Sequence, residues 1–350
     1  MRTRLLLIAV PLVAACGDVT PSPERVDLDL VLVDSIGLPG LPGDDEDLIF
    51  GQLVSAALHP NGTIYVVDRG ARRAVVLDEG EARGFLGSPG EGPGEFGRPI
   101  DLAIEPDGSV TVLDAEAGRV TRFDPATGSV LGEFTGVWSR NVLAHRTRRD
   151  TAWLSLLRFG SDTLPVLEGI TLSGTRVSGP PTHPNDADFP GTSALDATAD
   201  RLIASSPRPG VWWEFGPQGW RRIGSPLIPD AGPEIDTEVR PGLVEVTPSP
   251  VGVGEIALAG DSLVLQLARH WPGIEPGVRL ADIDRRYFLA VFRADGEPID
   301  TIGLPQSVWN GCLDAGPNET IVMCSNDPYP RVLIYQLRSR PQSPGDVGSN

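Results

Sequence analysis

The 350-residue chain carries 47 acidic and 29 basic side chains, for a formal net charge of −18, and every basic one is Arg. The lack of Lys excludes Schiff-base chemistry and the phosphate-gripping Lys of a P-loop, and so acidic a chain repels nucleic-acid backbones. Gly (41) and Pro (34) argue for many tight turns, while 40% hydrophobic residues in alternating runs exclude a disordered or collagen-like polymer. The length allows one large all-β domain or two ordinary ones.

In chain order, Arg2 and Arg4 precede an apolar run over residues 5–13, followed by Val13-Ala14-Ala15-Cys16. A basic start, a short apolar run and small residues read as a secretory signal, too short for the about 20 residues that span a bilayer. Small side chains directly before a Cys resemble the lipobox of bacterial lipoproteins. That resemblance implies cleavage before Cys16 and its acylation, with Val13 standing where the family prefers Leu. The alternative is an ordinary signal peptide with a chance Cys. Residues 1–15 are thus expected to be a lipoprotein signal peptide and 16–24 a lipidated, flexible tether. Loss of Arg2 and Arg4 takes the net charge to −20. Gly17, where an inner-membrane retention signal would have Asp, favours the outer membrane, facing the periplasm or exterior.

An internal repeat sets the fold. Residues 58–68, LHPNGTIYVVD, match residues 104–114, IEPDGSVTVLD, at a constant offset, which continues through Arg73 to Arg119, Leu77 to Phe123 and Asp78 to Asp124. A period in the forties, built of short strands and Pro-Asn/Asp-Gly turns, marks a propeller blade, which buries its faces only against neighbouring blades. Weaker second strands follow near Asp150–Leu154, Asp200–Ala204, Gly260–Leu265 and Gly316–Val322, making six. Asp34-Ser35-Ile36-Gly37-Leu38-Pro39 mirrors Asp300-Thr301-Ile302-Gly303-Leu304-Pro305. Hence the expected fold is all-β, a six-bladed β-propeller over residues 25–337, closed by an N-terminal strand near Leu30 to Ile36 that completes the last blade. Residues 338–350 are expected to form a disordered tail. Cys312 and Cys324 lie symmetrically about Asn318, facing each other in a hairpin centred there. A disulfide suits an exported protein; two buried free thiols are the alternative.

The run Gly87-Ser88-Pro89-Gly90-Glu91-Gly92-Pro93-Gly94-Glu95-Phe96, then Pro99, Pro106-Asp107-Gly108, Asp114 and Arg119-Val120, resembles NHL repeats. Ala71 and Ala117 stand where that family has Asn. The match covers about residues 51–135; the rest resembles the broader six-bladed, TolB-like propellers. The resemblance implies the fold, and its Gly, Asp and Arg residues are expected to be turn and inter-blade fasteners.

Three insertions, at residues 179–192, 225–252 and 270–286, fall in joints that rim one mouth of the channel, where long loops on a rigid scaffold carry binding. They supply His183, Asp186, Asp188, Asp230, Glu234, Asp236, Glu238, His270, Trp271, Asp282 and Asp284, with Trp212 and Trp271 as apolar platforms. This carboxylate-rich mouth is either a site for Ca²⁺ or another hard cation, or a set of solvated acidic loops without fixed ligand spacing. Asp101, Asn141 and Asn310 approach the channel positions where gluconolactonase-like propellers hold a metal, and are the metal candidates. His59, Glu105 and His145 fall by strand turns on the opposite face and read as turn residues. Two function classes follow. One is a non-catalytic binding module at the cell envelope for a protein, peptide or glycan, without cofactor or nucleic acid. The other is a metal-dependent, lactonase-like hydrolase or lyase at the channel mouth.

Overall fold

The computed structural model describes residues 27–340, apart from 136–141, 149–150, 157–165, 172–174, 179–193, 199, 207, 228–236, 241–242, 247–250, 271–285 and 306–307. The chain is a six-bladed β-propeller. It opens with β1 (Leu28–Ile36). Blade one is β2 (Leu53–Leu58), β3 (Ile64–Asp68), β4 (Arg73–Asp78) and β5 (Glu81–Leu86). A short parallel pair, β6 (Ser88–Pro89) and β7 (Glu95–Phe96), folds the Gly-rich joint. Blade two is β8 (Pro99–Ile104), β9 (Val110–Asp114), β10 (Arg119–Phe123) and β11 (Val130–Thr135). Blade three is β12 (Val142–Arg148), β13 (Thr151–Leu156), β14 (Val166–Thr171) and β15 (Arg176–Ser178). Blade four is β16 (Leu195–Ala197), β17 (Leu202–Ser205), β18 (Val211–Gly216) and β19 (Gly219–Gly224). A separate hairpin, β20 (Thr237–Arg240) and β21 (Leu243–Val246), lies in the second insertion. Blade five is β22 (Val251–Ala259), β23 (Leu263–His270), β24 (Arg286–Arg293) and β25 (Pro298–Leu304). Blade six is β26 (Val308–Ala315), β27 (Thr320–Ser325) and β28 (Arg331–Ser339), with β1 as its outer strand.

The closure is the one the sequence implies. β1 pairs antiparallel with β28 from Leu28 opposite Ser339 to Ile36 opposite Val332. Because β28 runs to Ser339, the blade extends two residues past the expected end at 337. The disulfide Cys312–Cys324 joins β26 to β27 in the register of Leu313 opposite Met323.

Strand composition follows depth. β2 (LVSAAL) is buried at every position, between the channel and two neighbouring blades, so small and apolar residues fill it. The outer β5 (EARGFL) alternates exposed with half-buried positions until its last residue, as a strand with one wet face must. The first strands of all six blades touch in sequence, β2, β8, β12, β16, β22, β26 and back to β2, which closes the ring. Apolar cores lie in the seams between blades. Leu265, Leu289, Met323 and Leu333 fill the seam of blades five and six, and Leu53, Val66, Val322 and Val332 that of six and one.

The residues shared with NHL repeats act as fasteners. Asp68 accepts hydrogen bonds from the backbone of Gly51 (2.8 Å), Gln52 (2.9 Å) and Ala71 (3.1 Å). Its counterpart Asp114 accepts from Gly97 (2.7 Å), Arg98 (3.0 Å), Glu116 (2.9 Å) and Ala117 (3.2 Å). Each ties the joint leading into its blade to the end of that blade's second strand. The Arg119 guanidinium holds the Gly-rich joint by donating to the carbonyls of Glu91 (3.3 Å), Gly92 (2.6 Å) and Glu95. Gly87 is required there: φ is +72°, and a Cβ would lie 2.2 Å from the Phe96 ring.

Candidate functional site

The inner strands carry polar side chains inward to the channel, an exception to the apolar rule for buried strands that asks for a reason. Asp101 on β8 is the hub. It accepts from Ser55 Oγ of blade one (2.8 Å), from the His145 backbone N–H of blade three (2.8 Å) and from Arg146 Nη1 (3.0 Å), and its Oδ2 lies 3.1 Å from His145 Nδ1. Burial pushes the Asp101 carboxyl upward, but Arg146 and the His145 hydrogen bonds outweigh it and hold it at about 2. The buried His145 ring continues outward, with Nε2 3.0 Å from Thr111 Oγ1, which donates to Glu105 Oε1 at 2.8 Å. A polar line thus runs from the ring interior to the turn between β8 and β9.

Arg146 spans three blades. Its Nη1 donates to Asp101 and to the His145 carbonyl (2.7 Å), and its Nε reaches Asp196 Oδ1 of blade four at 3.4 Å. Burial alone disfavours its charge, but Asp101, Asp196, Glu255 and Asp314 together raise its pKa above the ordinary Arg value.

Two more inner-strand carboxylates stitch one blade to the next. Asp196 on β16 accepts from the Leu258 N–H of blade five (2.6 Å), and Asp314 on β26 accepts from the Leu58 N–H of blade one (2.7 Å). Burial, opposed by Arg146 and the backbone donors, raises Asp196. Burial and the charge of Asp196 raise Asp314 to about 7. Glu255 on β22 is pushed well above the usual carboxylate range by burial and by the charges of Asp101, Asp196 and Asp314. Glu255 and Asp314 are half-buried, while Asp101, Asp196 and Arg146 are buried.

Above this network a cavity of about 480 Å³ opens at the mouth formed by the turns between first and second strands. Arg146, Asp196 and Asp314 lie in its wall, Ala57, Leu58, Leu102 and Leu258 give it apolar sides, and His59 and Glu105 stand at its rim. Concave, largely apolar spaces with a few convergent polar groups are where small ligands bind. Among the described residues, no three His, Cys, Asp or Glu side chains are grouped to hold a metal ion.

The expected site residues fare unequally. His183, Asp186, Asp188, Asp230, Glu234, Asp236, Trp271, Asp282, Asp284 and Asn141 lie outside the described residues, as do Cys16 and the side chains of Glu238 and Asn310. His270 ends β23 half-buried. Trp212 is corrected: it is fully buried, its ring 5.4 Å from Phe292 in the seam of blades four and five, so it offers no surface platform. Asp101 does face the channel, but its oxygens are committed to Ser55, His145 and Arg146 rather than presented to a metal. His59 and Glu105 do belong to turns on the opposite face, as expected, yet that face holds the cavity. His145 is instead a buried member of the network. Sequence reasoning passed over Arg146, Asp196, Glu255 and Asp314. One signal was available: Leu-Asp-Ala recurs at 195–197 and 313–315, at matching points of two inner strands.

No family model and no curated protein matches the sequence. Solved structures do match its shape. A protein from Bacteroides fragilis named as exported has a TM-score of 0.54 at 10% identity, covering 90% of this chain and 96% of its own. The PQQ-bound aldose sugar dehydrogenase from Streptomyces coelicolor has a TM-score of 0.51 at 14% identity, covering 91% and 100%. Virginiamycin B lyase from Staphylococcus aureus has a TM-score of 0.50 at 12% identity, covering 89% and 99%. At these identities the likeness establishes the β-propeller fold, which hosts enzymes and binding modules alike.

Proposed function

We propose that the chain is an exported lipoprotein with an NHL/TolB-like propeller, anchored through Cys16, that acts as a binding module at the cell envelope and takes its ligand in the turn-mouth cavity. The cavity carries the reading: its polar wall is held by hydrogen bonds that between them link all six blades, the pre-organisation that a binding site needs. The basic, apolar and small-residue run before Cys16 supports export and acylation, and the disulfide suits an oxidising compartment. The test is native mass spectrometry of the full chain extracted from the envelope. A bound small molecule is expected, and it should be missing from Thr198→Trp, which fills the cavity wall. A chain without added mass, or a ligand kept by the variant, refutes the cavity as the site. In parallel, Cys16→Ser should move the protein from the membrane to the soluble fraction.

One observation favours the lactonase-like hydrolase or lyase as a second reading. Asp314 lines the cavity and titrates at about 7, so it can exchange a proton at neutral pH. Turnover of lactones or esters that is lost in Asp314→Asn would support it.

A further inference from the structure

The chemistry of the channel also bears on what enters it. Glu255 stands on β22, three residues before the Leu258 that lines the cavity, and is itself outside that lining. Among the described residues no donor hydrogen-bonds its carboxylate and no cation pairs with it, although it lies within electrostatic reach of Asp101, Arg146, Asp196 and Asp314. The other channel carboxylates are each committed: Asp101 to Ser55, His145 and Arg146, Asp196 to Arg146 and Leu258, and Asp314 to Leu58 and Ala315. The Arg146 guanidinium is spent on Asp101 and Asp196. An interior lined by walls of low dielectric, with more carboxylates than cations among its described residues, favours an added positive charge. Glu105 at the rim adds to the same sign.

We infer that the cavity takes a small organic cation, an amine- or guanidinium-bearing molecule with an alkyl body. This rests on the cavity being the binding site, as proposed above. Geometry separates this ligand from a bare metal ion, because among the described residues the carboxylates are spread around the channel rather than grouped at metal-ligand spacing. A molecule with several N–H donors can span such a spread, whereas one ion cannot. The apolar sides, Ala57, Leu58, Leu102 and Leu258, match an alkyl segment between or behind the charged groups.

The test is calorimetric titration of the full chain, at matched ionic strength, with agmatine and putrescine, and with glutarate and CaCl₂ as probes of opposite sign and of metal. One site per chain is expected for agmatine or putrescine. Binding should weaken tenfold or more in Glu255→Gln and in Glu105→Gln, two isosteric changes whose melting midpoints report whether the fold survives. No heat from either amine overturns the inference. So does amine binding that both variants leave untouched, or a site filled by glutarate or Ca²⁺ in preference. The reading beneath it fails separately. A ligand without a cationic group, held by the native chain and lost in Thr198→Trp, keeps the cavity and removes the cation.

Discussion

Blades one and two use aspartate differently from blades four and six. Asp68 and Asp114 end second strands and gather backbone N–H groups of their own blade, so they fix the shape of a blade. Asp196 and Asp314 sit on inner strands and reach the backbone of the following blade, so they fix the ring. Blade two has both kinds, with Asp101 in the second role. The same side chain thus serves as a local clasp at the end of a second strand, and as a joint between blades on an inner strand. The second use leaves carboxylates in the channel, and chemistry becomes available there.

The largest effect should come from the ring closure, which neither kind of aspartate can replace. Removing residues 1–36 strips β1 from β28 and should abolish cooperative thermal unfolding, or most of the roughly 5–15 kcal/mol by which such domains are stable. Removing residues 1–24 should leave the melting midpoint unchanged. An unchanged midpoint in the longer deletion would sink the closure role of β1.

Next, Asp101→Ala takes one acceptor from buried Arg146, which keeps Asp196 and the His145 carbonyl, and one from buried His145, and should cost up to about 3–5 kcal/mol in chemical denaturation. Asp114→Ala frees only backbone donors near the surface of a joint and should cost about 1–3 kcal/mol. Equal costs would erase the distinction between clasp and joint.

Asp314 sharpens the comparison through pH. Its folded pKa of about 7 lies above the ordinary carboxylate value, so the folded state holds the proton more tightly than the unfolded chain does. Stability from this group is therefore fullest below about pH 4 and falls as pH rises toward 7, by at most about 4 kcal/mol before channel water screens it. Asp101 runs the other way: its depressed pKa of about 2 gives stability that is lost as pH drops below about 4. Denaturation at pH 5 and pH 8 should show Asp314→Asn losing less stability than the native chain over that interval. Replacing Cys312 and Cys324 with Ser should cost about 3 kcal/mol, given the sequence separation of 12.

Most of the fold was legible because its determinants are periodic. The Pro-Asn/Asp-Gly turns, the terminal Asp68 and Asp114, and the mirrored Asp34-Ser35-Ile36 and Asp300-Thr301-Ile302 all repeat in register with the blades. The candidate site was not, for two physical reasons. Leu-Asp-Ala at 195–197 and 313–315 marks channel aspartates, but the same triplet at 113–115 contains the clasp Asp114. Local sequence does not say which way such an aspartate faces. Arg146 has no charged counterpart in blade one or five, where the aligned positions are the small Ala57 and Ala257, whereas Glu255 aligns with Asp101 of blade two and with Ser55 of blade one. A residue that occurs once in a repeat protein carries no periodic signal, and here such a residue, Arg146, supplies the positive charge that Asp101 and Asp196 share. The insertions that loop length pointed to fall largely outside the described residues, and the cavity opens at the other mouth.

The pairing of β1 with β28 also sets how the molecule answers force. Both described ends of the chain leave blade six at one corner, where the Arg340 N–H meets the Asp27 carbonyl at 2.8 Å and Leu28 faces Ser339. Tension between the two ends therefore does not load the ladder in shear, where all its hydrogen bonds resist together. It peels the ladder from that corner one bond at a time, from Leu28 toward Ile36. The seam that makes the ring continuous is then also where pulling opens it, and the other five blades stay out of the line of load until β1 is gone.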